Sequence, residues 1–179
     1  PERSPLYQIL NKLLENNPEL TFSDPTEKII YQQLIAALPE SNSYRDPQTR
    51  RIIIEKELKK IPGNNEQIIN NLIEKMLSAS PIEEIIIRPE KFYRYAQPEQ
   101  IGNSDYIPKI DPTNPLFKIV IRVPHMVYAQ NVKQQLKKEL DADNLQSGED
   151  PYGTWIKIYN PHLIKGAILT IIFTSEKNE

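Results

Sequence analysis

The chain contains no cysteine among its 179 residues. Disulfide bonds, thiolate nucleophiles and zinc sites built on cysteine are therefore excluded. The absence fits a reducing compartment, and we expect a soluble, cytoplasmic protein. No apolar run approaches the ~18 residues that a membrane-spanning helix needs, so we expect no contact with a membrane.

Glycine is scarce, with 5 residues, whereas proline is abundant, with 16. Loops that hold phosphate groups depend on glycine for close approach of the backbone. The sequence has no P-loop, no dinucleotide fingerprint and no nucleophile-elbow motif. An enzyme that uses only Asp, Glu and Lys would show no such local motif. Among the enzyme classes that do have a sequence motif, nothing here indicates catalysis. We therefore expect a non-enzymatic protein without a cofactor.

The charges are nearly balanced, with 22 Lys and Arg against 24 Asp and Glu and a formal net charge of -2. Proteins that bind nucleic acid usually carry a basic excess, because contacts with phosphate supply much of the affinity. The balance therefore favours another protein as the partner and leaves nucleic acid possible only through a local basic patch.

Four amphipathic helices are predicted in the N-terminal part of the chain. Ser4, Asp24 and Asp46 are each followed by proline, which is the pattern of an N-cap with proline at the first helical position. Apolar residues then recur at helical spacing. The predicted helices cover residues 5–16, 25–38, 47–60 and 65–78.

The C-terminal part predicts a β-α-β-β unit. Apolar residues alternate with polar ones along three segments, as in strands with one buried face, and one amphipathic helix follows the first of them. The predicted elements are a strand over 117–123, a helix over 126–140, a polar loop over 141–153, and strands over 155–159 and 167–174.

The fold class predicted from these elements is α+β. An N-terminal bundle of about four helices is followed by a compact β-α-β-β unit of two layers, in which the helix covers one face of the sheet. Proline interrupts residues 96–116, which we interpret as a linker. The predicted domains are therefore 1–95 and 117–179.

Residues 82–95 are ambiguous. The isoleucines at 85–87 favour a strand because they are β-branched. A turn over 88–91 and a return strand over 92–95 would then complete a β-hairpin at the end of the helical domain. A short helix over 81–87 is the alternative.

One strand of the C-terminal unit carries a candidate binding face. Side chains alternate along a strand, so if Ile156 and Ile158 face the helix, their neighbours point outward with the polar residues of the first strand. The alternative is that the aromatic residues pack beneath the helical part. The candidate partner-binding residues are Trp155, Lys157, Tyr159, Arg122 and Lys118.

Two weaker hypotheses concern other residues. His125 and His162 both follow proline just beyond predicted strands, so they are candidates for a metal site or an acid–base pair, although their spacing matches no metal motif and each can simply cap a turn. Residues 47–95 are predicted to form two helices followed by a β-hairpin, which is the order of elements in a winged helix.

From these observations we expect a protein-interaction or adaptor module, regulatory in character and part of a larger assembly. The alternative is a nucleic-acid-binding or transcription-regulatory module, acting through the winged-helix-like segment or the surface of the C-terminal sheet.

Overall fold

The structure is a computed structural model that describes the placement of most of the chain. The described residues are 5–15, 20–40, 44–90, 116–140, 146–149, 155–159 and 168–176. Within them, no helix is both long enough and apolar enough to cross a bilayer.

The four predicted N-terminal helices are confirmed. They are α1 (Pro5–Glu15), α2 (Pro25–Ala37), α3 (Pro47–Lys59) and α4 (Glu66–Ser78). Asp24, Asp46 and Asn65 cap α2, α3 and α4 by accepting a hydrogen bond from the backbone N–H three residues on, at 2.8, 2.9 and 2.9 Å. Each cap satisfies a helical N–H that has no partner inside the helix.

The C-terminal part forms a five-stranded mixed sheet with a helix against it. Its elements are β1 (Glu84–Glu90), β2 (Leu116–Arg122), a 3₁₀ turn (Met126–Tyr128), α5 (Ala129–Glu139), β3 (Gln146–Glu149), β4 (Trp155–Tyr159) and β5 (Ile168–Thr174). The strand order is β1-β2-β5-β4-β3, with β2 and β5 parallel and the other pairs antiparallel. The α+β class is confirmed, and the four predicted elements of the C-terminal unit are present in the predicted order.

Two strands differ from the predictions. β1 continues through Arg88 to Glu90, where a turn was expected, and it pairs with β2 at the edge of the sheet; the expected return strand over 92–95 lies outside the described residues. β3 lies inside the predicted polar loop and pairs with β4. An edge strand is held by backbone hydrogen bonds and needs few apolar side chains, so β3 has no hydrophobic pattern to reveal it.

Among the described residues, one hydrophobic core contains side chains from the helices and from one face of the sheet. Ile119, Ile121, Ile156, Ile171 and Phe173 make up the inner sheet face and are at most 2% exposed. The predicted inner residues of α5, Val132 and Leu136, are fully buried behind it. The proposed domain boundary within 96–116 lies in a part of the chain outside the described residues and stays a prediction.

Side chains from the helices bind the connection between β2 and α5. Arg50 of α3 is buried, and its Nη1 donates to the carbonyl of Val127 at 3.1 Å and to the Asn131 side chain at 2.9 Å. Asn131 in turn donates to the carbonyls of Met76 and Ala79 at the end of α4. Burial lowers the pKa of Arg50, but an arginine keeps its charge even so.

We expect the Arg50→Ala variant to lose about 2–4 kcal/mol of the free energy of unfolding, because it leaves the buried Val127 carbonyl without this donor. The neighbouring Arg51 is the matched control, since its ion pair with Glu74 is exposed and Arg51→Ala should change stability by no more than about 0.5 kcal/mol. Urea unfolding followed by circular dichroism measures both. Equal losses in the two variants would contradict the role given to Arg50.

Candidate functional site

The side chains of β4 alternate between the core and the outer face of the sheet. Ile156 is fully buried, Lys157 is exposed, and Trp155 keeps 36% of its surface exposed. The indole therefore lies outside the core, as the alternation predicts. The backbone of Tyr159 belongs to β4, but its side chain lies outside the described residues.

Strand pairing aligns four apolar residues across the outer face. Ile86 is paired with Val120, Val120 with Ile172, and Ile172 with Trp155. The first three are half-buried. We call these four residues the apolar row. It crosses β1, β2, β5 and β4, and the sequence alone did not reveal it because it depends on the strand order.

A second row lies beside the first, two residues along each strand. Lys118 is paired with Thr170, and Thr170 with Lys157. Neither lysine forms an ion pair with any side chain that the structure describes. We call Lys118, Thr170 and Lys157 the lysine row. The structure thus brings two of the predicted basic residues onto one line, separated by a single strand.

Arg122, the third predicted basic residue, is in a different situation. Its guanidinium pairs with the carboxylate of Glu83 and lies 3.5 Å from that of Glu84, and only 17% of its side chain is exposed. Two carboxylates therefore more than balance its charge. This side of the outer face is net acidic, whereas the lysine row is basic.

His125 caps the turn that follows β2. Its Nδ1 accepts a hydrogen bond from the N–H of Val127 at 2.9 Å, and its Nε2 lies 3.1 Å from the carbonyl of Leu38. The first bond requires an unprotonated Nδ1, so Nε2 carries the proton and donates. The ring is only 1% exposed. Both nitrogens are thus engaged inside the protein, which agrees with a capping role.

The metal hypothesis gains no support from the part of the chain that the structure describes. No cluster of three or more His, Asp or Glu side chains suited to an ion is found there. His162 lies outside the described residues, so its part in the hypothesis stays a prediction.

The basic residues of α3 are largely engaged with other protein groups. Arg50 is buried, Arg51 pairs with Glu74 at 2.6 Å, and Lys59 and Lys60 pair with acidic residues of α3 itself at 3.1 and 3.2 Å. Exposed positions of α4 include Glu66 and Glu74. A winged-helix surface would need free positive charge here, so these contacts favour a salt-bridged, solvated face.

A buried acidic group was missed by sequence reasoning. Glu27 is 1% exposed, and its carboxylate accepts hydrogen bonds from the Ser23 hydroxyl and the Lys75 ammonium, both at 2.6 Å. Lys75 also lies 4.8 Å from the centre of the Phe22 ring. The sequence signal was Glu27 at the third position after the Asp24 cap, which indicated only a capping box.

This group lines an open cavity of about 470 Å³ together with residues of α4. Burial alone would raise the pKa of Glu27, but the hydrogen bonds from Lys75 and Ser23 outweigh it and hold the pKa below its usual value. A carboxylate with a lowered pKa is a weak base towards Ser23. The arrangement therefore fits an ion pair between α2 and α4 better than an activated nucleophile.

No protein-family model, curated protein or solved structure matches this chain. Its function must therefore be inferred from the side chains that the fold brings together, such as those on the outer face of the sheet.

We expect three variants of His125 to show how much each of its two hydrogen bonds contributes to stability. His125→Ala should cost about 2–3 kcal/mol of the free energy of unfolding, because both bonds are lost. His125→Asn keeps an acceptor near Nδ1 and His125→Gln keeps a donor near Nε2, so each should recover about 1 kcal/mol. Chemical denaturation at pH 8 measures this. An identical loss in all three variants would show that ring packing alone matters.

We expect the buried Tyr44, whose ring lies against that of His125, to make stability decline in alkali. Burial, followed by the charges of Glu40 and Glu57, raises the pKa of Tyr44 to about 12, whereas in the unfolded chain it is about 10. Its contribution is complete below pH ~10 and is lost as the pH rises towards ~12, at roughly 1.4 kcal/mol per pH unit. Unfolding of Tyr44→Phe measured between pH 8 and 12 should therefore show a shallower decline than the unsubstituted protein. Parallel curves would contradict this.

Proposed function

We propose that this protein is a non-enzymatic interaction module, part of a larger assembly, that binds a partner protein on the outer face of its sheet. The observation that carries the proposal is the apolar row, which ends in the exposed Trp155. Beside it lie two lysines that form no ion pair with any side chain that the structure describes. A cytoplasmic location and an adaptor role belong to the same proposal.

The apolar row is unusual for a sheet face that only meets water. Where one face of a sheet packs on the core, the outward positions are normally polar. Here Ile86, Val120 and Ile172 occupy outward positions on three adjacent strands, and Trp155 extends the row onto a fourth. A tryptophan next to β-branched residues offers a large, rigid contact area, and tryptophan is enriched among the residues that dominate binding energy.

Nucleic acid is the second candidate, on one specific observation. An exposed indole with Lys118 and Lys157 nearby is the combination on which some single-stranded nucleic acids stack. The net charge of -2 and the engaged basic residues of α3 favour the protein partner. Binding to nucleic acid would weaken steeply with added salt.

We expect a photo-crosslinking amino acid at Thr170 to capture a partner protein in the cells that produce this chain. Thr170 lies between the two lysines, at the centre of the outer face. Adding Trp155→Ala should reduce the captured amount about tenfold or more, because truncating a dominant contact costs about 2 kcal/mol or more and each ~1.4 kcal/mol is a factor of ten in affinity. Gel analysis with mass spectrometry of the crosslinked species measures this.

Ile52 provides the matched control position. It is also apolar and exposed, at 63%, but lies on α3. The proposal expects the crosslinked species from Thr170 to be missing from Ile52. The same species from both positions, or a species insensitive to Trp155→Ala, would place binding elsewhere.

A further inference from the structure

We propose that the segment bound on the outer face is an acidic amphipathic α-helix lying across the strands. This inference depends on the proposed function and specifies the partner's chemistry. The inference is based on the geometry of the apolar row and of the lysine row. It is also based on the charges that lie on the other side of the apolar row from the lysines.

A helix suits a sheet face better than an extended segment does. The backbone groups of β2, β5 and β4 are already paired with neighbouring strands, so the face offers only side chains. An extended peptide laid on it would have its own N–H and C=O groups covered without partners, which is costly. A helix satisfies these groups internally and presents an apolar stripe.

The apolar row sets the direction and length of that helix. Its four residues lie on four adjacent strands, and adjacent strands are ~4.8 Å apart, so the row is about 14 Å long. A helix rises 1.5 Å per residue, which makes this length roughly 10 residues, or about three turns. The helix axis therefore runs across the strands, along the line from Ile86 to Trp155.

The lysine row sets the charge pattern of one flank. Lys118 and Lys157 are separated by the single strand β5, which places them roughly 10 Å apart. Carboxylates seven positions apart on a helix lie on the same side and about 10.5 Å apart. Two acidic residues at i and i+7, on the flank facing the lysine row, match this spacing.

The opposite flank of the helix meets a different environment. On that side of the apolar row, the Arg122 guanidinium is paired with Glu83 and Glu84, so two carboxylates accompany one positive charge. An acidic residue there would be repelled. The partner helix should therefore be acidic on one flank only, which fixes its rotation about its own axis.

Trp155 provides a direct assay because it is the sole tryptophan of the chain. The probe is a stapled helical peptide of about 12 residues, with a leucine stripe and two glutamates seven positions apart on one flank. Its titration should produce a saturable blue shift of Trp155 emission, because binding removes the indole from water. A peptide with lysines in place of both glutamates should bind about tenfold more weakly.

Charge reversal on the protein tests the pairing. The double variant K118E/K157E should weaken binding of the glutamate peptide about tenfold and should favour the lysine peptide instead. Lys56→Glu is the matched control, because Lys56 is an exposed residue of α3 and not of the sheet, and it should leave both affinities unchanged. Circular dichroism verifies that each variant is folded.

Several outcomes would overturn the inference. The first two are equal binding of the two peptides and binding of neither. The third is a shift of Trp155 emission that only an oligothymidylate of about 12 nucleotides causes. The fourth is a shift of that emission with protein concentration alone, which would indicate that a second copy of the chain binds this face. If Thr170 still captures a protein partner while neither peptide binds, the proposed function stands and the acidic helix is wrong. If Thr170 captures nothing, the proposed function itself fails.

Discussion

The buried connection between β2 and α5 is the constraint on which the rest of the structure depends. Apart from a short 3₁₀ turn it is irregular, so several of its buried backbone polar groups lack partners in regular secondary structure and are satisfied by side chains. Arg50 supplies a donor to the Val127 carbonyl, and His125 supplies an acceptor to the Val127 N–H. The Tyr31 and Tyr128 hydroxyls also bond to each other, at 2.7 Å. These directional bonds fix α2 and α3 against the end of the sheet.

This arrangement has a consequence for the outer face. The helices and α5 bury the inner positions of the strands, including Ile121, Ile156 and Ile171, and side-chain alternation then directs the intervening residues outward. Trp155 and Val120 reach the outer face because their neighbours are needed in the core. The candidate site is therefore positioned by the same packing that stabilises the fold.

The distribution of ion pairs divides the basic residues into two groups. Arg50, Arg51 and Lys75 bind groups on other elements of the fold. Lys118 and Lys157, by contrast, have no acidic partner among the side chains that the structure describes. Exposed ion pairs contribute little to stability, so an unpaired lysine is ordinary by itself. Two of them in one row beside apolar residues are better explained by a charged partner, and this is why the outer face, rather than α3, is the proposed site.

Local chemistry in the sequence determined the helices and the principal strands. Short polar caps before proline located α2 and α3, and strict alternation located β2, β4 and β5, because these signals act over a few residues. The sequence also identified Trp155, Lys157 and Lys118 as outward candidates from the same alternation.

Tertiary structure alone decided which strands are neighbours. β5 lies between β2 and β4, so it joins Lys118 to Lys157 through Thr170 and Val120 to Trp155 through Ile172, and β1 adds Ile86. It also decided that Arg122 is paired with two glutamates and that Glu27 is buried beside Lys75. These contacts join residues far apart in the chain, and periodicity within one segment carries no information about which distant segment will lie beside it.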